Sequence, residues 1–265
     1  MGLSSPVDSC GRRAHRWDPM HQSARPLVGA GSILVAALAA WGLLAWMALD
    51  MGHPLVQLTM PGAADWSLSN IVAIFLMWSV MMAAMMLPSA LPMLLAFVRL
   101  HREPGRNGRA HAFVAAYLIV WCAFSALATA LQWALQWLDW VDPMIVSTSA
   151  GLNAALLLIA GVYQFSPLKR MCLAKCRTPV GFLLGEWRPH VAGAWTMGLR
   201  HGVLCAGCCW ALMALLFVGG AMNIAWVAAL SVAVAIEKMA PHGERLGALL
   251  GLALIAAGLV RIVLG

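Results

Sequence analysis

The chain has 265 residues, 62% of them hydrophobic and only 10% charged, against the ~25% charged residues of a soluble domain. That composition excludes a soluble globular protein. The net charge of +7 does not point to nucleic acid, because the basic residues are confined to a few segments between apolar runs long enough to span a bilayer.

Residues 1–26 form a basic tail with Arg12, Arg13, Arg16 and Arg25, expected to be cytoplasmic. Cys10, His15 and His21 within it are read as incidental. The first apolar run, about 27–49, is too long for a signal-peptide core, and no clear small-residue cleavage site follows it. The connection to the second span carries Asp50, His53 and Asp65 but no Lys or Arg. The second span, about 71–98, holds Met77, Met81, Met82, Met85 and Met86, then Pro88 and Pro92. Met77, Met81 and Met85 repeat every fourth residue and so share a helix face. Proline frees a backbone carbonyl, which a membrane helix tolerates when a neighbouring helix satisfies it.

A short basic loop with Arg99, Arg102, Arg106 and Arg109 leads to a third span, about 112–137, in which Cys122 is read as packing. Asp139 and Asp142 mark the turn to a fourth span, about 145–165, which Pro167 ends. The longest loop follows, about 166–194, with Lys169, Arg170, Lys175, Arg177 and Arg188. It contains Cys172 and Cys176, one helical turn apart, and then Phe182, Leu183, Leu184 and Trp187, which read as a short interfacial helix. The fifth helix starts near His190 and spans about 198–219. A short sixth span covers about 223–237 and closes on Glu237 and Lys238. Lys238 is expected to snorkel to the interface, and Glu237 to pair with Lys238, Arg200 or His201. The seventh span is about 247–264.

Sixteen of the seventeen Lys and Arg residues fall in the tail and in alternate connections. The positive-inside rule then places the N-terminus inside and the C-terminus outside. The expected fold is an all-α polytopic membrane helix bundle of about seven transmembrane helices, with residues 27–265 forming one transmembrane domain.

The chemistry concentrates in the fifth helix. Cys205, Cys208 and Cys209 lie at i, i+3 and i+4, so their sulfurs share one face. His201 stands one turn before them and Met213 one turn after. Imidazole, thiolates and thioethers are soft or borderline ligands that suit Cu(I) and Zn(II) and are poor ligands for magnesium or calcium. Counted from the inner ends of their helices at 1.5 Å per residue, Met85, Met86 and the Cys208/Cys209 pair fall at a similar depth of roughly 16–18 Å. Cys172 and Cys176 sit at the inner side, at the mouth of such a site. Whether the second and fifth helices touch is not legible from the residues. Seven cysteines form no secreted disulfide framework.

Four stretches resemble a bacterial family of predicted metal-binding integral membrane proteins of unknown function, some of whose members are labelled copper chaperones. They are Met81-Met82-Ala-Ala-Met85-Met86-Leu87-Pro88; Tyr163-Gln164 through Pro167 and Lys169 to Cys172, Cys176, Arg177 and Pro179; Gly198-Leu-Arg200-His201-Gly202 leading to Cys205-Ala206-Gly207-Cys208-Cys209-Trp210; and Gly220 through Asn223 to Glu237-Lys238. The resemblance covers about residues 70–245. Its one departure is Ala206, where a valine is expected. It implies a multi-pass protein of the bacterial inner membrane that binds metal.

The first functional expectation is soft-metal handling, with Cu(I) as the ion and Zn or Hg as alternatives. Its ligands come from Cys205, Cys208, Cys209, Cys172, Cys176, Met81, Met82, Met85, Met86, His201 and Met213. The partners it implies are the lipid bilayer and a soluble metal-binding protein, with no nucleic acid. The alternatives are a membrane thiol–disulfide oxidoreductase, disfavoured by cysteines that face a reducing compartment, and an assembly or scaffold protein whose cysteines only pack. No P-loop, G-x-S-x-G or H-E-x-x-H motif assigns an enzyme class.

Overall fold

The structure is a computed structural model that describes residues 19–63, 66–100 and 106–264, with side chains from residue 31, those of residues 106 and 107 excepted. Residues 1–18 of the basic tail, with Cys10 and His15, lie outside the described residues, as do Asp65, Arg102 and Gly265. Among the described residues the chain is all-helical, apart from one isolated antiparallel bridge between Val141 and Ser147.

The elements run α1 Pro19–Leu49, α2 Pro54–Gln57, α3 Leu68–Leu100, α4 Arg106–Trp137, α5 Ala150–Tyr163, α6 Pro167–Arg177, α7 Pro179–Glu186, α8 His190–Ala214, α9 Leu216–Gly219, α10 Ile224–Met239 and α11 Gly243–Leu264. Five stretches are long and apolar enough to cross a membrane: Gly31–Leu49, Leu68–Leu100, Gly108–Trp137, His190–Gly219 and Gly243–Leu264. The α5–α6 pair, bent by 62°, makes a sixth if it counts as one broken span. Helix α10 has 16 residues, about 24 Å of helix, against the ~30 Å of a typical hydrocarbon core.

Two parts differ from the expectation. The fourth helix starts at Ala150 instead of near 145. Asp139 and Ile145 both have positive φ, 57° and 64°, which a helix cannot absorb. Asp142 Oδ1 accepts from Val146 N at 2.8 Å and Thr148 Oγ1 donates to Asp139 O at 3.0 Å, closing a compact turn. Ser149 then caps α5 by accepting from Leu152 N. Apolar Ile145 and Val146 resemble the start of a span because Ile145 is buried inside this turn. The second difference lies in the expected loop 166–194, which contains two helices. Ser166 accepts from Lys169 N with Pro167 at the first helical position, a strong N-terminus for α6. Helix α7 is the expected short helix, but Phe182 and Leu183 are buried under the bundle.

Close helix pairs form where glycines remove side chains. Helix α8 packs on α4, and α11 on α5. A Cβ on Gly198 would stand 2.3 Å from Phe113 O. On α11, Gly251 faces Gln164 and Gly161 while Gly258 faces Leu158. Small residues spaced by whole turns let membrane helices approach closely. Pro88 of α3 is accommodated as expected: it cannot donate to Ala84 O, which accepts instead from Trp41 Nε1 of α1 at 3.0 Å.

Candidate metal centre

Helix α8 places His201, Cys205, Cys208, Cys209 and Met213 in the core. Cys208 and Cys209 direct their Sγ atoms at the carbonyl of Cys205, at 3.1 and 3.0 Å. This back-bonding to the preceding turn brings the Cys208 and Cys209 thiols to the Cys205 backbone. Cys205, Cys208 and Cys209 are free thiols, as are Cys172 and Cys176.

Cys205 is where the helices meet. Its Sγ accepts from Lys238 Nζ of α10 at 3.0 Å and lies 3.2 Å from Tyr117 Oη of α4. Tyr117 Oη donates to Met86 O of α3 at 3.2 Å. Lys238 Nζ also reaches Met86 Sδ at 3.8 Å and Ser89 Oγ at 3.3 Å. The second and fifth spans are thus joined at the site by a tyrosine and a lysine from two other helices. Lys238 does not snorkel outward: it is buried and points inward. Glu237 does not pair with Lys238, Arg200 or His201 but with Lys169 Nζ at 2.6 Å, while Arg200 pairs with Glu186. Successive helix positions diverge by about 100°, so Glu237 faces α6 while Lys238 faces α3 and α8.

The C-x3-C pair is brought up to the cysteine helix. Helix α6 lies against α8. Cys172 Sγ sits 2.9 Å from where a Cβ on Gly207 would be. Cys176 is electrostatically coupled to Cys208, Cys208 to Cys209, and Cys209 to Cys205. The thiols therefore run continuously from Cys176 to Cys205 and end at Lys238. Among the described residues, no three His, Cys, Asp or Glu side chains form a group that could hold a metal ion. What the arrangement offers is neighbouring thiols with the Met86 thioether, a donor set for an ion content with two or three sulfurs.

The remaining expected ligands are distributed differently. Met81, Met82, Met85 and Met213 are buried in the same hydrophobic core as the cysteines. The His201 ring is stacked with Phe113 and Tyr117, at 5.9 and 5.6 Å between centroids, with Phe182 at 5.7 Å. Its Nδ1 has no hydrogen-bond partner. Cys122, read as packing, is exposed on α4.

Sequence reasoning missed Tyr117, Ser89 and the inward course of Lys238. The available signal was the charged pair Glu237-Lys238 at the end of an apolar run, since an ionisable side chain at membrane depth points to a functional site. Gly207 between the cysteines was a second signal, for close approach of another element. Among known families, a model described as PpoB2, copper chaperone, matches residues 75–261. No curated protein and no solved structure matches the chain.

Proposed function

Given that the chain belongs to the PpoB2 copper chaperone family, which matches more than half of its length, we propose that it is a multi-pass protein of the bacterial inner membrane that binds Cu(I) within the bilayer and passes it on. In this reading seven helices cross the membrane with the N-terminus inside. Cys205, Cys208 and Cys209 supply the thiolates that hold the ion, two at a time, with the thioether of Met86. Met81, Met82, Met85 and Met213 supply a soft, adaptable lining, and His201 orients Tyr117 against Cys205. Cys172 and Cys176 receive the ion from a soluble metal-binding partner at the inner side. Zn(II) and Hg(II) are the other ions such thiols accept.

The observation that carries the reading is a line of sulfurs: Cys172 of α6 is seated on Gly207 of α8, Cys208 and Cys209 turn their Sγ atoms to the Cys205 carbonyl, and Cys205 meets Lys238, which also reaches Met86. An ion bound by two sulfurs can move along such a line by exchanging one sulfur at a time, so that it is never left without ligands in a medium that would punish a bare charge. Packing alone does not require three thiols from one helix to meet a fourth from another.

The test is Cu(I) competition against a chromophoric chelator, with the full chain in detergent under reducing conditions. Cys208→Ser combined with Cys209→Ser should abolish binding. Cys172→Ser with Cys176→Ser should slow loading and leave the equilibrium affinity largely intact. A Cys208/Cys209 variant that binds copper as the wild type does would show that the cysteines only pack.

A further inference from the structure

We propose that Lys238 makes this thiol site selective for a monovalent soft cation over a divalent one, by fixing one positive charge beside the ligands. The inference rests on the metal reading above and adds to it the charge of the ion.

Lys238 Nζ stands 3.0 Å from Cys205 Sγ, 3.8 Å from Met86 Sδ and 3.3 Å from Ser89 Oγ. The residue is 7% exposed, and helix α10, which carries it, packs on α3, α6 and α8. The ammonium is therefore held at the ligands. The nearest other charges cancel each other: Lys169 and Glu237 form their own buried pair at 2.6 Å. Met86 and Ser89 carry no charge. The balance of the site thus turns on the thiolates, Lys238 and the ion.

A cation bound by Cys205 lies beside the Lys238 ammonium, and the repulsion between them grows in proportion to the charge of the ion, so a divalent ion is penalised twice as much as a monovalent one. In a membrane interior such repulsion is poorly screened. Lys238 therefore favours the monovalent ion whichever of Cys208 and Cys209 joins Cys205. Without Lys238 both ions gain, and the divalent ion gains more.

The experiment measures affinities for Cu(I), Ag(I) and Zn(II) by chelator competition on the full chain in detergent. It compares wild type with Lys238→Gln, which removes the charge, and Lys238→Arg, which keeps it. Lys238→Gln should shift the ratio of monovalent to divalent affinity toward Zn(II) by at least about tenfold, and Lys238→Arg should keep the wild-type ratio. An unchanged ratio in Lys238→Gln, or equal loss for all three ions, overturns the proposal. Should Lys238→Gln fail to yield folded protein, wild type labelled with 15N at lysine Nζ decides the matter. Ag(I) must shift one ammonium resonance, and no shift overturns the proposal. The two readings fail differently. Binding that survives loss of Cys208 and Cys209 removes the metal site itself. Binding that needs those cysteines while its ion preference ignores Lys238 removes only this inference.

Discussion

At the scale of single residues, Gly207 does two things. Its missing side chain admits Cys172 Sγ, which a Cβ would meet at 2.9 Å, and its carbonyl accepts from Tyr163 Oη at 2.5 Å. Both contacts hold the α5–α6 segment against α8. Gly207→Val should push α6 outward, with the 1–3 kcal/mol cost typical of overpacking. Cys172 and Cys176 should then separate from Cys208, and maleimide should label Cys172 several-fold faster than in wild type. An unchanged labelling rate would mean that Gly207 does not set this approach. The residue scale also shows where reading the chain stops. Cys205, Cys208 and Cys209 were legible as one face because the helix period alone brings them together. Met86 was legible by depth. Tyr117 and Lys238 were not, because they enter from α4 and α10, and contacts between residues 88 and 33 apart along the chain, as Tyr117 and Lys238 are from Cys205, leave no periodic trace. Lys238 was misread for a physical reason. A lysine at the end of an apolar run ordinarily escapes to water, and here Cys205, Met86 and Ser89 give the ammonium partners inside.

At the scale of elements, the long apolar helices were legible from hydropathy, and their ends depart from the reading by a few residues. The departures occur where hydropathy and hydrogen bonding disagree: Ile145 is apolar but sits in a turn, and α6 is polar but helical, because Ser166 and Pro167 start it well. Helix α11 reports its partner through its glycines. Gly243, Gly247 and Gly251 are spaced by four residues, and Cβ atoms on them would meet Glu237 O at 2.3 Å, Glu237 Oε1 at 3.1 Å and Gln164 Cβ at 2.8 Å. This row seats α11 against the Lys169–Glu237 pair and against α5. Gly251→Leu should therefore destabilise the bundle by about 1–3 kcal/mol or more, read as a lower melting temperature in detergent by size-exclusion recovery. Gly185 is the control, since a Cβ there meets nothing within 4 Å, and Gly185→Leu should melt with the wild type. Equal melting of the two variants would remove the glycine row as a packing device.

At the scale of the whole molecule, contacts join the segments rich in Lys and Arg at one end. Arg109, at the start of α4, donates to Arg188 O at 3.1 Å and lies 5.2 Å over the Trp187 ring. Arg177 donates to Glu237 O of α10 at 3.2 Å and to Ala240 O and Pro241 O just beyond it at 2.8 and 3.0 Å, covering the carbonyls at this helix end. The opposite end is joined by Trp66 Nε1 to Gln136 Oε1 at 3.0 Å and by Ser147 N to Phe217 O at 2.8 Å, with Asp139 and Asp142 nearby in the chain. Helix α10 connects the two ends despite its 16 residues. It starts just after Gly220, whose Cβ would be 2.7 Å from Val146 Cγ2, and finishes against Arg177 and Lys169. Helix α5 runs between the same ends in the same direction. Helix α11 then leaves the basic end at Gly243 and reaches Ala154 and Leu158, near the start of α5, at Gly258. These contacts support the proposal that both short segments cross, which gives seven crossings and puts the two termini on opposite sides. With the positive-inside rule the same proposal takes a direction, in which the basic end is the cytoplasmic one. An alkaline phosphatase fused after Gly265 should be active, since that enzyme folds only outside the reducing cytosol. Activity at the same position from a reporter that works only in the cytoplasm would mean that α5–α6 or α10 turns back within the membrane. In that case Cys172 and Cys176 would have to be placed afresh relative to the source of the metal.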